Sequence, residues 1–248
     1  AQGTLRSDSG YAEHGRALAL AERVGDTETM AWTHFYLARC PPLANARIHY
    51  REGVRLFRGL GDHDGVGRTA AIYGRLLAES GERAESRVRQ AEAREAFEAA
   101  GIVLGVGETL DNLWRLHLLE LELDAAEACV LEAIERFASI GDAGRVLLGY
   151  ARRAWVDAYR PDPDRARRGV ERFVRRFGRA EPIRASALRA VVAYRHGDLS
   201  EAARHARGWA TASLVVGQET TVPPVKAFLV LARAEAVAGR HDAAAVRL

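Results

Sequence analysis

Arginine is the chemistry-bearing residue that clusters in this sequence. Arg160, Arg165, Arg167, Arg168, Arg172, Arg175, Arg176 and Arg179 fall within twenty positions that hold only three acids, Asp162, Asp164 and Glu171. Residues three and four apart share a helix face, so Arg165, Arg168, Arg172, Arg175, Arg176 and Arg179 form a stripe. Ala166, Val170, Phe173 and Phe177 lie opposite it at the same spacing. A guanidinium is planar and takes a carboxylate or phosphate through two parallel N–H bonds. The stripe can therefore dock an acidic partner, a nucleotide phosphate or nucleic acid. No aromatic residue is interleaved on it to stack bases, which argues against nucleic acid. The plainer alternative is a solvated helix face whose arginines pair with acids on neighbouring helices.

Other constellations are weaker. Among His14, His34, His49, His63, His117, His196, His205 and His241, no two lie three or four apart to make a metal-binding face. Asp62, His63 and Asp64 are adjacent in an expected turn, where neighbours seldom converge on one ion. Gly61, Gly65 and Gly67 echo a dinucleotide loop, but no strand precedes them, and a turn between helices explains them better. Glu120 and Glu122 are two apart on an expected helix and should point to different sides. No nucleophile elbow and no Gly-x-x-x-x-Gly-Lys-Ser/Thr loop is present, and Lys226, the sole lysine, follows Pro223 and Pro224. The expectation is a chain with no catalytic, cofactor-binding or metal-binding residues, hence no enzyme and no cofactor. Trp32 and Trp209 are dispersed, whereas Tyr73, Trp114 and Trp155 follow Gly61, Gly101 and Gly141 by 12, 13 and 14 residues. Aromatics at one recurring position are either interhelical core or a row lining a binding groove.

Composition bounds the class. The chain has 248 residues, 48% hydrophobic and 28% charged, with a net charge of +3. Such a balance excludes disorder and a disulfide miniprotein. With one lysine among 36 basic residues, 35 are arginine. The pI near 9.1 invites a nucleic-acid reading, but 33 acids nearly balance the arginines, and a uniform arginine bias reports a GC-rich genome. Cys40 and Cys129 have no second thiol nearby, so neither a disulfide framework nor a Cys-x-x-Cys motif forms, and a cytoplasmic setting is expected. No apolar run of about 18 residues spans a membrane, and no signal-peptide pattern opens the chain. A start at Ala1 and an end at Leu248, just inside a new helical pattern, are expected to be cuts in a longer protein.

The elements that must position these residues are legible as repeats. A hydrophobic-Gly-Asp signature closes LALAERVGD (18–26), RLFRGLGD (55–62) and IERFASIGD (134–142), with weaker copies at 94–102, 175–179 and 214–218. Gly25, Gly61, Gly101, Gly141, Gly178 and Gly217 are spaced by 36, 40, 40, 37 and 39 residues, and Phe57, Phe97 and Phe137 keep a spacing of 40. A second mark falls half a period later, at Ser80-Gly81-Glu82, Leu123-Asp124, Pro163-Asp164, Gly197-Asp198 and Gly239-Arg240. Glycine ends a helix and Asp or Ser caps the next, so each repeat is two helices. The prolines Pro41, Pro42, Pro161, Pro163, Pro182, Pro223 and Pro224 all fall at boundaries. The spacing predicts helices over 11–24, 27–39, 45–60, 64–80, 84–100, 105–122, 124–140, 143–159, 164–177, 182–196, 199–216 and 222–238, with another from 241. Stacked hairpins share a continuous core, and no linker divides them. The expectation is one all-α solenoid domain over residues 1–248.

The repeats resemble a known family. LGDHDGVGR (60–68) and IGDAGRV (140–146) are similar to the degenerate tetratricopeptide repeats of bacterial signal-transduction ATPases, and YRHGDLSEAARHA (194–206) is similar to the Gly-Asp-Leu-x-Glu-Ala turn of tetratricopeptide repeats generally. The period near 40 resembles the maltose-regulator-like region of large LuxR-class and antibiotic-regulatory (SARP-type) regulators of actinobacteria. The likeness covers essentially the whole chain. It departs at Ile102, Arg179 and Gln218, where the Asp is lost, and the Trp-x-x-Leu-Gly-x-x-Tyr signature is missing. The resemblance implies a right-handed α-solenoid of about six tetratricopeptide-like hairpins. It also implies a non-catalytic sensor region that binds a protein, peptide or small effector, with nucleic acid bound only by domains outside this segment. The competing expectation is a stand-alone adaptor that binds a peptide in a concave groove.

Overall fold

The computed structural model describes residues 2–40 and 42–206, with side chains from Tyr11 onward. Pro41, Trp209, Gly217, Pro223, Pro224, Lys226 and His241 lie outside the described residues. So do the helices expected over 222–238 and from 241, and most of 199–216. The described helices are α1 (Gln2–Val24), α2 (Thr27–Leu37), α3 (Leu43–Leu60), α4 (His63–Glu79), α5 (Arg83–Ala99), α6 (Val103–Leu119), α7 (Leu123–Ser139), α8 (Ala143–Ala158), α9 (Pro163–Phe177) and α10 (Pro182–Arg195). Residues 199–206 are also helical, and no strand occurs among the described residues. The fold is all-α and built of helical repeats. None of the described helices is long and apolar enough to cross a membrane. Only α1 departs widely from its expected bounds. It starts at Gln2 rather than near 11, because Leu5 alone offers a large apolar side chain before Tyr11 and no periodic face could be read.

The punctuation works as caps. Gly61 takes φ 69° and its N–H reaches back to the carbonyls of Arg58 and Phe57, closing α3 in the left-handed conformation that glycine adopts without steric cost. Gly25, Gly101 and Gly141 share that geometry. Asp62 then accepts from the Gly65 N–H at 2.9 Å and opens α4, as Asp26 does from Thr29 at 3.0 Å. Gly178 is different: it stays right-handed at φ −59°, ψ −27° and donates to Val174. It is not a fifth copy of the turn, because the chain folds on through 178–180 into Pro182. The half-period mark in the third repeat is also displaced, to Leu121, which holds φ 60° without being glycine.

The chain packs as two compact units, 1–143 and 144–248. In the first, each helix packs on the next, and α2 on α4 and α4 on α6 also touch. Gly65 and Gly67 lie inside α4, not in the preceding turn as the sequence suggested. A Cβ on Gly65 would stand 2.2 Å from the Phe57 ring, and one on Gly67 would stand 2.7 Å from Phe97. Forty residues on, Gly105 faces Phe97 at 2.5 Å and Gly107 faces Phe137 at 2.5 Å. Phe97 is thus gripped between glycines of successive repeats, and these rings are buried. Close packing of this kind leaves no room for a methyl group. Thr33, Thr69 and Thr109, also at equivalent positions, are buried with their hydroxyls donating to carbonyls of their own helices, each at 2.7 Å. In the second unit, Ala166, Val170 and Phe173 of α9 join Ala151, Ala154 and Ala158 of α8 and Leu188, Val191 and Val192 of α10 in one core.

Candidate functional site

The site is built on α9. Pro163 supplies its first turn, and Asp162 caps it by accepting from the N–H groups of Asp164 and Arg165 at 2.9 and 3.2 Å. Those backbone donors, Arg165 first, hold the Asp162 carboxyl below the usual aspartate range. Burying Ala166, Val170 and Phe173 turns the opposite face outward. Arg165, Arg168, Arg172, Arg175 and Arg176 are accordingly all exposed. Arg179 is exposed too, but it lies in the turn beyond α9 rather than on the helical stripe. Glu171 is engaged first by α10, with Arg175 of the row adding a weaker attraction. Arg189 of α10 takes its carboxylate through two bonds of 2.8 and 2.9 Å and holds it below the ordinary range.

Two arginines of the row turn toward α8. Arg172 places Nη2 3.3 Å from Oδ2 of Asp157, a buried acid of α8. Gly169 makes this approach feasible, since a Cβ there would come within 2.3 Å of the Asp157 carboxyl. Arg176 lies over the rings of Tyr150 and Phe177, at 5.0 and 5.2 Å from their centroids. Contact of this kind attracts the guanidinium charge to the aromatic rings. Together these groups border a cavity of about 400 Å3 between α8 and α9, to which Arg153 and Phe173 also contribute. No pattern in the sequence marked Tyr150, Asp157 and Gly169 as belonging to the site. Their proximity comes from the crossing of α8 and α9.

The arginines of the first unit are used differently. Arg47 pairs with Glu85 at 2.7 Å, Arg58 with Glu92 at 2.8 Å and Arg94 with Glu132 at 2.7 Å, bridging α3 to α5 and α5 to α7. A second cavity, of about 440 Å3, lies between α3 and α5. Its Arg58 and Arg89 are both engaged by Glu92, and Tyr50 also donates to Glu92 at 2.5 Å. Burial and that carboxylate push the Tyr50 hydroxyl up to about 12.

The remaining candidates fall as follows. Asp62 caps α4 and Asp64 pairs with Arg68 at 2.8 Å, so their carboxylates are engaged away from His63. Glu120 and Glu122 do act together, contrary to expectation. They flank the left-handed Leu121 in a turn rather than sharing a helix, and both meet Arg87, Glu122 at 2.7 Å. His117 adds a 2.6 Å contact to Glu122. Tyr73 is wholly buried and stacks on Tyr50 with centroids 4.5 Å apart, while Arg47 donates to its hydroxyl at 3.0 Å. Trp114 is buried as well, and Trp155 is half-buried against the α8–α10 core. Interhelical packing holds Tyr73 and Trp114, while Trp155 keeps part of its ring exposed.

No protein-family model matches the chain, and no curated protein matches it. Among solved structures it is similar to BtubC (BKLC) from P. vanneervenii, with 18% identity and a TM-score of 0.55 over 98% of this chain and 88% of that one. At that identity the likeness speaks to the fold, and it agrees with an all-α helical-repeat protein.

Proposed function

We propose that the chain is a non-catalytic binding module that docks an acidic protein or peptide on the guanidinium row of α9, as the sensor region of a larger ATP-binding transcriptional regulator. The observation that carries the docking surface is the row itself: exposed arginines on one face of a helix whose other face is locked into core. The regulator context rests on the resemblance of the Gly-Asp turns. A partner that binds two arrangements of the repeats unequally shifts their populations, and that difference in affinity is the signal passed to the attached module.

The docking surface is tested with a fluorescent oligoglutamate peptide. Arg168→Glu with Arg175→Glu changes two exposed positions that make no contact with the core, and about tenfold or greater weakening is expected. Helicity by circular dichroism should stay constant. Unchanged binding overturns the docking reading. The regulator context is tested in the flanking coding sequence: a phosphate-binding loop upstream and a helix-turn-helix support it, while absence of both leaves a stand-alone adaptor.

A further inference from the structure

The cavity between α8 and α9 has a composition different from the open row beside it. Three guanidinium groups, those of Arg153, Arg172 and Arg176, border it against one carboxylate, Asp157. Its apolar wall is aromatic, from Tyr150, Phe173 and Phe177. A volume of about 400 Å3 lies in the range of small-molecule sites, which pair apolar walls with a few convergent polar groups.

We infer that this cavity binds a small organic anion with a flat apolar body, its carboxylate or phosphate head held by Arg172 and Arg176 and its body laid against the aromatic wall. The inference deepens the binding-module reading by giving the second unit a small effector site beside the macromolecular row.

Four observations support it. The Arg176 guanidinium carbon sits 5.0 and 5.2 Å from the centroids of Tyr150 and Phe177, two rings that pack on each other 5.4 Å apart, so its charge is held at the edge of the aromatic wall. Among the described residues it donates to no acceptor. Arg172 lies one helical turn away on the same face, about 6 Å along the axis, a spacing that lets both heads reach one anion. Asp157 restrains Arg172 from below at 3.3 Å without using all five of its donors. Each arginine thus already has a neighbour in the cavity, Asp157 for Arg172 and the aromatic pair for Arg176, which restricts its side chain and lowers the entropic cost of binding.

The probes are naphthoate, naphthyl phosphate, neutral naphthalenemethanol and inorganic phosphate, followed by probe fluorescence or by calorimetry on the full chain. Naphthoate or naphthyl phosphate is expected to saturate a single site. The stronger of the two identifies the head group as carboxylate or phosphate. Naphthalenemethanol and inorganic phosphate should each bind about tenfold more weakly, lacking the head or the body. Arg176→Gln should weaken the naphthyl anion about tenfold, while Arg68→Gln, in the first unit, leaves it unchanged. Should Arg176→Gln fail to fold, Arg172→Gln carries the same test. Equal affinity for the neutral probe, or an undiminished affinity in the arginine variant, overturns the proposal. Oligoglutamate binding that survives Arg176→Gln but not the Arg168, Arg175 reversal would show that the row stands even where the cavity reading fails.

Discussion

At the scale of single residues, two positions store a cost that a measurement can recover. Leu121 is left-handed at φ 60° and exposed, where an L side chain pays about 1–2 kcal/mol. Leu121→Gly should stabilise the fold by about 0.5–1 kcal/mol after the extra chain entropy of glycine is subtracted, read from urea unfolding. A lower midpoint would mean that the Leu121 side chain has a contact worth more than its strain. The second is a histidine pair. His34 and His49 place their Nδ1 atoms 3.0 Å apart, and Tyr11 contacts His49 Nε2 at 3.2 Å. Burial lowers the pKa of both, and for His34 the neighbouring His49 and Arg55 add to it while Glu52 opposes. A histidine depressed in the folded state binds its proton later than in the unfolded chain. Stability is therefore fully present above about pH 6.5 and falls as the pH drops below it. His49→Gln should flatten that fall, and an unaltered pH profile would remove the pair from the account.

At the scale of elements, α4 and α6 are defined by what they lack. Gly65→Ala would gain helix propensity but set a methyl group 2.2 Å from the ring of fully buried Phe57, and a net loss of about 1–3 kcal/mol is expected in thermal unfolding. Gly59, exposed on α3, has nothing within 4 Å of its Cβ position, so Gly59→Ala should instead stabilise by about 1 kcal/mol. Opposite signs for the same substitution are the test. Helix ends were legible in the sequence, because Gly61 and Asp62 dictate local geometry through their own chemistry. The role of Gly65 was not, since periodicity does not say whether a glycine frees a backbone or admits a neighbour. Gly178 misled for the same reason: its spacing matched, but its φ is set by the turn into Pro182. On α9, both faces were readable from spacing except at Arg179, which lies in the turn beyond the helix. The cavity was not, because Tyr150 and Asp157 reach Arg176 and Arg172 only through the packing of α8 on α9.

At the scale of the molecule, a net charge of +3 is too small to attract an acidic partner by itself. On the proposed reading, attraction comes from placement: the first unit binds Arg47, Arg58 and Arg94 to glutamates of its own, whereas the five arginines of the α9 row are exposed, one of them, Arg172, paired with Asp157. Oligoglutamate binding should therefore weaken steeply between about 50 and 200 mM salt, where exposed charges are increasingly screened. A salt-independent affinity would point to an apolar contact instead. The Phe–Gly grip has a different consequence. Phe57 and Phe97 meet Gly65 and Gly105 in the same way, and Phe97 and Phe137 meet Gly67 and Gly107 in the same way, at a constant distance along the chain. Every joint in this stretch has the same plug and the same socket. A gene segment encoding one repeat can then be copied or lost in a single recombination event with each ring still finding a seat. The length of such an array is free to drift under selection while its fit does not have to be reinvented.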